Sequence, residues 1–334
     1  MFEEVNYGIS YEQYIDDLME IPDASFRASG NFYHYTSFEN CIKMLEHTDM
    51  VFEMWASHIL YLNDTEEHKN GLKLIDRKVE DLLLSRGDAL CDWTEQYLEK
   101  RSQSYSDEIY VICFCSERNL LSQWKYYGKN SGVAIEYNLN KCEYAGFFPE
   151  FPNMYLKQYI RKAVYDDMEK QGIVDEFIKK RIYSIYENTS KSEIEKRRET
   201  KEELDKLYKL APLFKHNFFK EEHESRLLFM PTYKEKAESA KKAICYRTSD
   251  GKIIPYMRIK IRGQEEAGER LPVIKSLTVG PGRNQDLIFD ALKHFIVHKF
   301  PQGEVQDSVK NRKDYSYIRV NGIEIRKSTM PFRD

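Results

Sequence analysis

Two glutamates separated by a single residue, Glu222 and Glu224, followed at the same interval by Arg226, carry the strongest chemical signal in the chain. In an extended segment alternate side chains share a face, so these three line one side and His223 and Ser225 the other. Two carboxylates that close repel, so either a cation sits beside them or one of them holds its proton more tightly. Arg226 is placed to be that cation for Glu224. Two readings stay open: an ion-pair ladder along a strand edge, or a glutamate facing a cleft as hydrogen-bond acceptor or base.

Three further polar clusters lie upstream. His34 sits between Tyr33 and Tyr35 in strand-like sequence, as a hydrogen-bonded structural residue or as a catalytic one. Tyr61, Asn63, Asp64 and Glu66 gather where a strand ends. Asn-Asp is a turn and cap pair with acids in the first helical turn, yet strand exits are also where binding residues collect. Trp124, Tyr126 and Tyr127 precede Gly128, either as core aromatics or as a stacking surface for a base or nicotinamide. His294 and His298 have a metal-ligating interval but no third ligand close in sequence, so no metal site is expected.

The elements that position these residues read as follows. An amphipathic acidic helix spans 10–20, and a strand runs from Asn31 to Tyr35. Ser37 then caps a helix through Leu45. Met50–Met54 and His58–Leu62 read as two short strands. Asp64 caps a helix carrying Leu72, Ile75, Val79 and Leu83, and Leu90, Trp93 and Tyr97 share a face of another. Ile109–Cys115 has the continuous apolar character of a central strand, with Cys113 and Cys115 on one face as free thiols. A short helix at Leu121–Tyr127 leads to a strand at Val133–Tyr137, and another strand is expected at Lys162–Tyr165.

Residues 166–210 read as a charged helical insertion. Within Lys191–Lys206, 12 of 16 residues are charged, six of each sign, so the run is neutral and makes a solvated helical hairpin rather than a basic arm. It is a candidate surface for a partner or for self-association. Strands return at Ser225–Met230, Ile253–Ile259 and Val273–Val279. A helix follows from Asn284 to Phe295, and Tyr315–Ile325 alternates as one further strand. The fold class expected is α+β: a mixed, mainly antiparallel sheet core with helical insertions, in a single domain over 1–334.

Charged residues make up 32% and hydrophobic residues 41% of the 334, which fits a globular chain with a sizeable core. The net charge of −4 gives no chain-wide nucleic-acid footprint. No apolar run approaches the roughly 20 residues needed to span a bilayer. Six cysteines without a C-x-x-C pair form neither a disulfide framework nor a zinc ribbon, and the chain reads as cytoplasmic.

Taken together the signatures resemble a widespread prokaryotic family of uncharacterised proteins. Its pattern runs Y-x-Y, L-N-D-P-x-E, C-F-S, W-x-x-Y-G, G-V-x-I, K-V-x-Y, F-x-x-E-x-E-x-R, a G-P turn and a terminal S-x-x-P-Y-R. The matching residues here are Tyr33-His34-Tyr35, Leu62 to Glu66, Cys113 to Ser116, Trp124 with Tyr127-Gly128, and Gly132 to Ile135. They continue with Ala163 to Asp166, Phe219 to Arg226, Gly280-Pro281 and Ser328 to Arg333. Thr65 replaces the usual Pro, Ser225 an aromatic, and a long charged insertion precedes Phe219.

The first half also resembles the ADP-ribosyltransferase superfold, in which a His on the first strand precedes a helix and a second strand bearing Tyr or Ser, with a Glu on a late strand. His34, Tyr61 and Glu222 or Glu224 would take those places. The resemblance implies an ADP-ribosyltransferase-like or NAD-consuming effector, in phage defence or a toxin system, with NAD as substrate and an unidentified macromolecular acceptor. Glu224, Glu222 and His34 would be catalytic, and Tyr35, Tyr61, Asn63, Asp64, Glu66, Trp124, Tyr127 and Arg226 would line the nucleotide. Two other functions stay open: a metal-dependent nuclease or hydrolase gathering Asp64, Glu66, Glu222 and Glu224 on Mg²⁺, and a non-catalytic nucleotide- or peptide-binding module.

Overall fold

A computed structural model describes residues 30–46, 51–62, 65–86, 94, 96–99, 109–128, 132–139, 142–146, 154–233, 244–249, 251–266, 269–270, 272–299, 305–306, 317–320 and 322–331. The helix expected at 10–20 and the cap at Asp64 lie outside them. The chain divides into two compact units. One comprises Ala28–Asn63, Glu108–Arg161 and Phe219–Asp334; the other comprises Met1–Arg27, Asp64–Asp107 and Lys162–Phe218.

The strands are β1 (Phe32–Thr36), β2 (Val51–His58), β3 (Tyr110–Cys115), β4 (Val133–Tyr137), β5 (Cys142–Gly146), β6 (Met154–Lys162), β7 (Glu224–Tyr233), β8 (Cys245–Ser249), β9 (Lys252–Gly263), β10 (Glu265–Glu266), β11 (Glu269–Arg270), β12 (Ile274–Val279), β13 (Val305–Gln306), β14 (Tyr317–Val320) and β15 (Ile323–Lys327). All but the β10–β11 hairpin belong to one sheet, ordered β13-β14-β15-β12-β4-β1-β3-β2-β9-β5, with β7 on β3, β6 on β7 and β8 on β9. The ladder between β12 and β15 is parallel, and those joining β1, β2, β3, β4, β5, β7, β8, β9 and β12 are antiparallel. The fold is therefore α+β with a mainly antiparallel sheet, as the sequence pattern implies.

Strand alternation gives this sheet one apolar and one polar face. Phe32, Met54, Ile112, Ile135, Met257 and Leu277 are among the residues of the apolar face. They pack with Cys41 and Leu45 of the helix Phe38–Leu45 and with Leu292 and Ile296 of the helix Gln285–Lys299. Ser37 caps the first of these helices, its hydroxyl accepting from the Asn40 N–H.

The helical unit has its own packing. The helix Thr65–Arg86 approaches the turn Ala211–Leu213 so closely that a Cβ on Gly71 would lie 2.7 Å from the Ala211 carbonyl oxygen. Tyr208 donates to Asp76 at 2.6 Å, and Lys78 pairs with Asp175 at 2.9 Å. The charged stretch forms a helical hairpin. Asp167–Phe177 runs through a π-helical turn into Tyr183–Glu187, and Glu193–Tyr208 returns under a capping box of Ser192 and Glu195. Ions coat the hairpin, but Val174, Phe177, Ile182, Leu204 and Leu207 are buried.

Four expectations need correcting. Met50–Met54 and His58–Leu62 are not two strands: Val51–His58 is one, because Trp55, Ala56 and Ser57 continue the alternation and the ladder to β9. Residues 59–61 turn as a short 3₁₀ helix. The strand expected at Lys162–Tyr165 ends at Lys162, and Val164 instead makes an isolated bridge to Phe214. Tyr315–Ile325 contains the hairpin of β14 and β15, turning at Gly322, whose φ of 79° suits a residue without Cβ. Glu222 lies in the 3₁₀ helix Asn217–Glu222, not in the strand that begins at Glu224.

Candidate functional site

Cross-strand register assembles a polar row from residues far apart in sequence. Glu224 faces Cys115, Cys115 faces Tyr33, Tyr33 faces Glu136, Glu136 faces Ser276, and Ser276 faces Glu324. Paired residues point to the same side of a sheet, so the row crosses six strands on the polar face. Tyr35, Ala134, Thr278 and Arg326 make the parallel row beside it.

Glu224 and Arg226 anchor one end. Arg226 is only 1% exposed, and its Nε and Nη2 donate to the two carboxylate oxygens of Glu224 at 2.7 and 3.3 Å. Burial of a guanidinium demands such a partner. The pair lies inside the sheet, since β7 is flanked by β3 and β6. It is not an edge-strand ladder.

Glu222 reaches this end by another route. His223, at φ 45°, is the only non-glycine residue with positive φ among those described, and it breaks the alternation between the two glutamates. Both carboxylates still act on the Cys115 thiol. Burial, then the charges of Glu117, Glu222 and Glu224, push that thiol up to about 12 against a counteracting backbone hydrogen bond from Glu117.

The middle of the row is a second carboxylate centre. The Ser276 hydroxyl donates to Glu136 at 2.6 Å, and the Tyr33 hydroxyl donates to the same group. Burial and then Glu136 push Tyr33 up to about 12, partly offset by Arg118 and Arg326. Tyr33 therefore stays a donor at neutral pH. Arg326 in turn pairs with Glu324.

His34 occupies a different place. β3 carries β7 along one edge, while its other edge meets β1 at Cys115 and β2 at Val111 and Tyr110. Where β1 and β2 diverge, His34 Nδ1 lies 3.1 Å from the Cys113 carbonyl. A carbonyl only accepts, so Nδ1 carries the proton. The ring stands edge-on to Phe114, on the face opposite Glu224. Burial lowers the pKa of His34 despite that bond, leaving a neutral strut at the split in the sheet.

The remaining sequence candidates are dispersed. Tyr35 donates to the Glu117 carbonyl at 2.6 Å and accepts from the Leu120 N–H at 3.1 Å, so its hydroxyl holds the loop after β3. Trp124, 2% exposed, packs edge-on against Tyr35 and is a core aromatic, while Tyr126 and Tyr127 are exposed. Tyr61 is exposed beside His58. Glu66 belongs to the helical unit and pairs with Lys69 on its surface, and Asn63 and Asp64 lie outside the described residues. His294 and His298 stack on an exposed helix face. Among the described residues no three His, Cys, Asp or Glu converge as metal ligands, and no helix is long and apolar enough to cross a membrane.

Sequence reasoning missed Tyr33, Glu136 and Ser276. The available signals were the place of Tyr33 in the Y-x-Y signature and the acid in Val-Ala-Ile-Glu-Tyr, a five-residue strand buried throughout.

Fold and site together define an α+β protein whose antiparallel sheet buries an acid–arginine pair and a tyrosine–glutamate–serine cluster on one face. Residues 123–227 match the model of a family described as "Protein of unknown function (DUF2971)". That stretch holds Trp124, Glu136, Glu224 and Arg226. Comparisons with curated proteins and with solved structures gave no match.

Proposed function

We propose that the Glu224 end of the polar row binds NAD and cleaves its nicotinamide–ribose bond, passing ADP-ribose to water or to a macromolecular acceptor. The observation that carries this reading is the buried Glu224–Arg226 pair. Apolar residues of similar volume often replace a buried ion pair at little or no cost in stability, so the pair is better explained by a demand for a fixed, ionised carboxylate. Cleavage breaks the C–N bond with its electrons leaving on neutral nicotinamide, and the ribose becomes oxocarbenium-like. A carboxylate locked in place by an arginine stabilises that cation without reorganising. The incoming nucleophile then bonds the anomeric carbon and gives up its proton, for which Glu222 is a second acceptor.

Departure of nicotinamide needs neither a general acid nor a metal. A histidine turned to the opposite face is therefore compatible with the chemistry, and His34 acts as a strut. The resemblance to NAD-consuming effectors in phage defence or toxin systems points the same way. The test is nicotinamide release from NAD by the purified chain, with and without Mg²⁺ and cell lysate, in wild type and in Glu224→Gln. Metal-independent release that Glu224→Gln abolishes supports the reading. Release unaffected by that change, and by the Glu222→Gln/Glu224→Gln double variant, overturns it.

A further inference from the structure

A second group of residues on the polar face, on β2, β8 and β9, takes no part in that chemistry. Ser57 of β2 and Cys245 of β8 both pair with Tyr256 of β9, so Arg247, two residues beyond Cys245, reaches across β9 to Ser57. Its Nη2 donates to Ser57 Oγ at 2.9 Å, and its Nε is buried with no hydrogen-bond partner. Among the described residues no carboxylate pairs with it, and burial lowers its pKa. A partly desolvated guanidinium with open donors is costly to hold alone, and an oxyanion is the partner its planar fork fits.

Trp55 lies two residues before Ser57, the partner of Arg247, on the same face of β2. Its ring stacks on Tyr256 with centroids 4.5 Å apart and planes at 30°, yet 45% of the residue is exposed. One ring face is thus packed and the other open. The nearby acid does not compete for Arg247. Glu53 receives both Nε and Nη2 of Arg258 at 2.7 Å, and Trp55 Nε1 at 3.0 Å, which also fixes the indole. Residues two apart on a strand are separated by roughly 7 Å, close to the span from a base through ribose to its first phosphate.

We infer that this surface binds a nucleoside phosphate, with the base on the open face of Trp55 and the phosphate on Arg247 and Ser57. The inference does not rest on NAD cleavage, because none of its residues belongs to the Glu224 row.

The probe is ADP, titrated calorimetrically into the full chain. Saturable binding is expected, with adenosine and inorganic phosphate each at least about tenfold weaker because each loses one half of the contact. Arg247→Gln and, separately, Trp55→Leu should each weaken ADP about tenfold or more while the melting curve stays cooperative. Trp55→Leu guards against a folding defect in the arginine variant, since its position is exposed. Absence of ADP binding, or binding unchanged in both variants, overturns the proposal. So does binding lost in Glu224→Gln but kept in Arg247→Gln, which places the ligand elsewhere. Tighter capture of a short single-stranded oligonucleotide than of ADP would also overturn it, in favour of a nucleic-acid surface.

Discussion

The buried pair is the feature whose removal has the most calculable effect. Arg226→Met leaves the Glu224 carboxylate buried without the two donors now at 2.7 and 3.3 Å. Two charge-assisted hydrogen bonds at about 1.5–3 kcal/mol each place the cost at about 3–5 kcal/mol, the range for breaking a buried ion pair. Glu224→Leu takes the same two bonds from the guanidinium of Arg226, which is 1% exposed, at a similar cost. The double variant removes both charges from the sheet, so it should recover most of the loss, with a coupling of at least about 2 kcal/mol. The four proteins can be compared by urea unfolding at 25 °C. On thermal melts the single variants should fall by about 6–20 °C, taking 2–4 °C per kcal/mol. Single variants within about 1 kcal/mol of wild type, or losses that simply add in the double, would refute the view that these charges depend on each other.

Three smaller tests address the framework around the site. Gly132→Ala places a Cβ 2.2 Å from the Thr36 carbonyl oxygen, which is backbone and cannot yield cheaply, so it should destabilise by about 1–3 kcal/mol in urea unfolding. His34 has a pKa below its usual 6.5, so the unfolded chain binds more protons as pH falls from that value. Stability attributable to neutral His34 is therefore present above pH 6.5 and lost below it. His34→Gln should flatten the acid limb of the stability–pH profile, and an unchanged limb would contradict the assignment. Cys41 and Cys142 are buried and pushed up to about 12 by that burial, whereas Cys245 is half-buried. Brief iodoacetamide treatment of the native protein at pH 8, read by peptide mass, should label Cys245 well ahead of the other two.

Local patterning was enough for elements that satisfy their own faces. Val133–Tyr137 begins after Gly132 and is apolar at every position but Glu136, so its bounds were readable. Ser37 set the start of its helix through a bond only three residues long. What failed was anything decided by a distant neighbour. The unbroken β2 depends on β9, and Val164 is captured by Phe214 rather than extending a strand. In the site, the Glu224–Arg226 pairing was legible because both residues lie on one strand. Glu136 was not, since its partner Ser276 is 140 positions away. His34 was placed with the glutamates because chain order does not reveal that β1 turns it toward Phe114. Arg247 and Trp55 went unread for the same reason, since the bond of Arg247 to Ser57 and the stacking of Trp55 on Tyr256 are fixed by the register of three strands.

The central claim is that Glu224, held by Arg226, serves NAD cleavage. The most direct measurement is nicotinamide release by wild type and Glu224→Gln side by side in EDTA, with circular dichroism confirming that both are folded at the assay temperature. The account predicts release by wild type and a loss of at least about a hundredfold in the variant, as expected when a group that stabilises transition-state charge is removed. Equal turnover in the two proteins would contradict it.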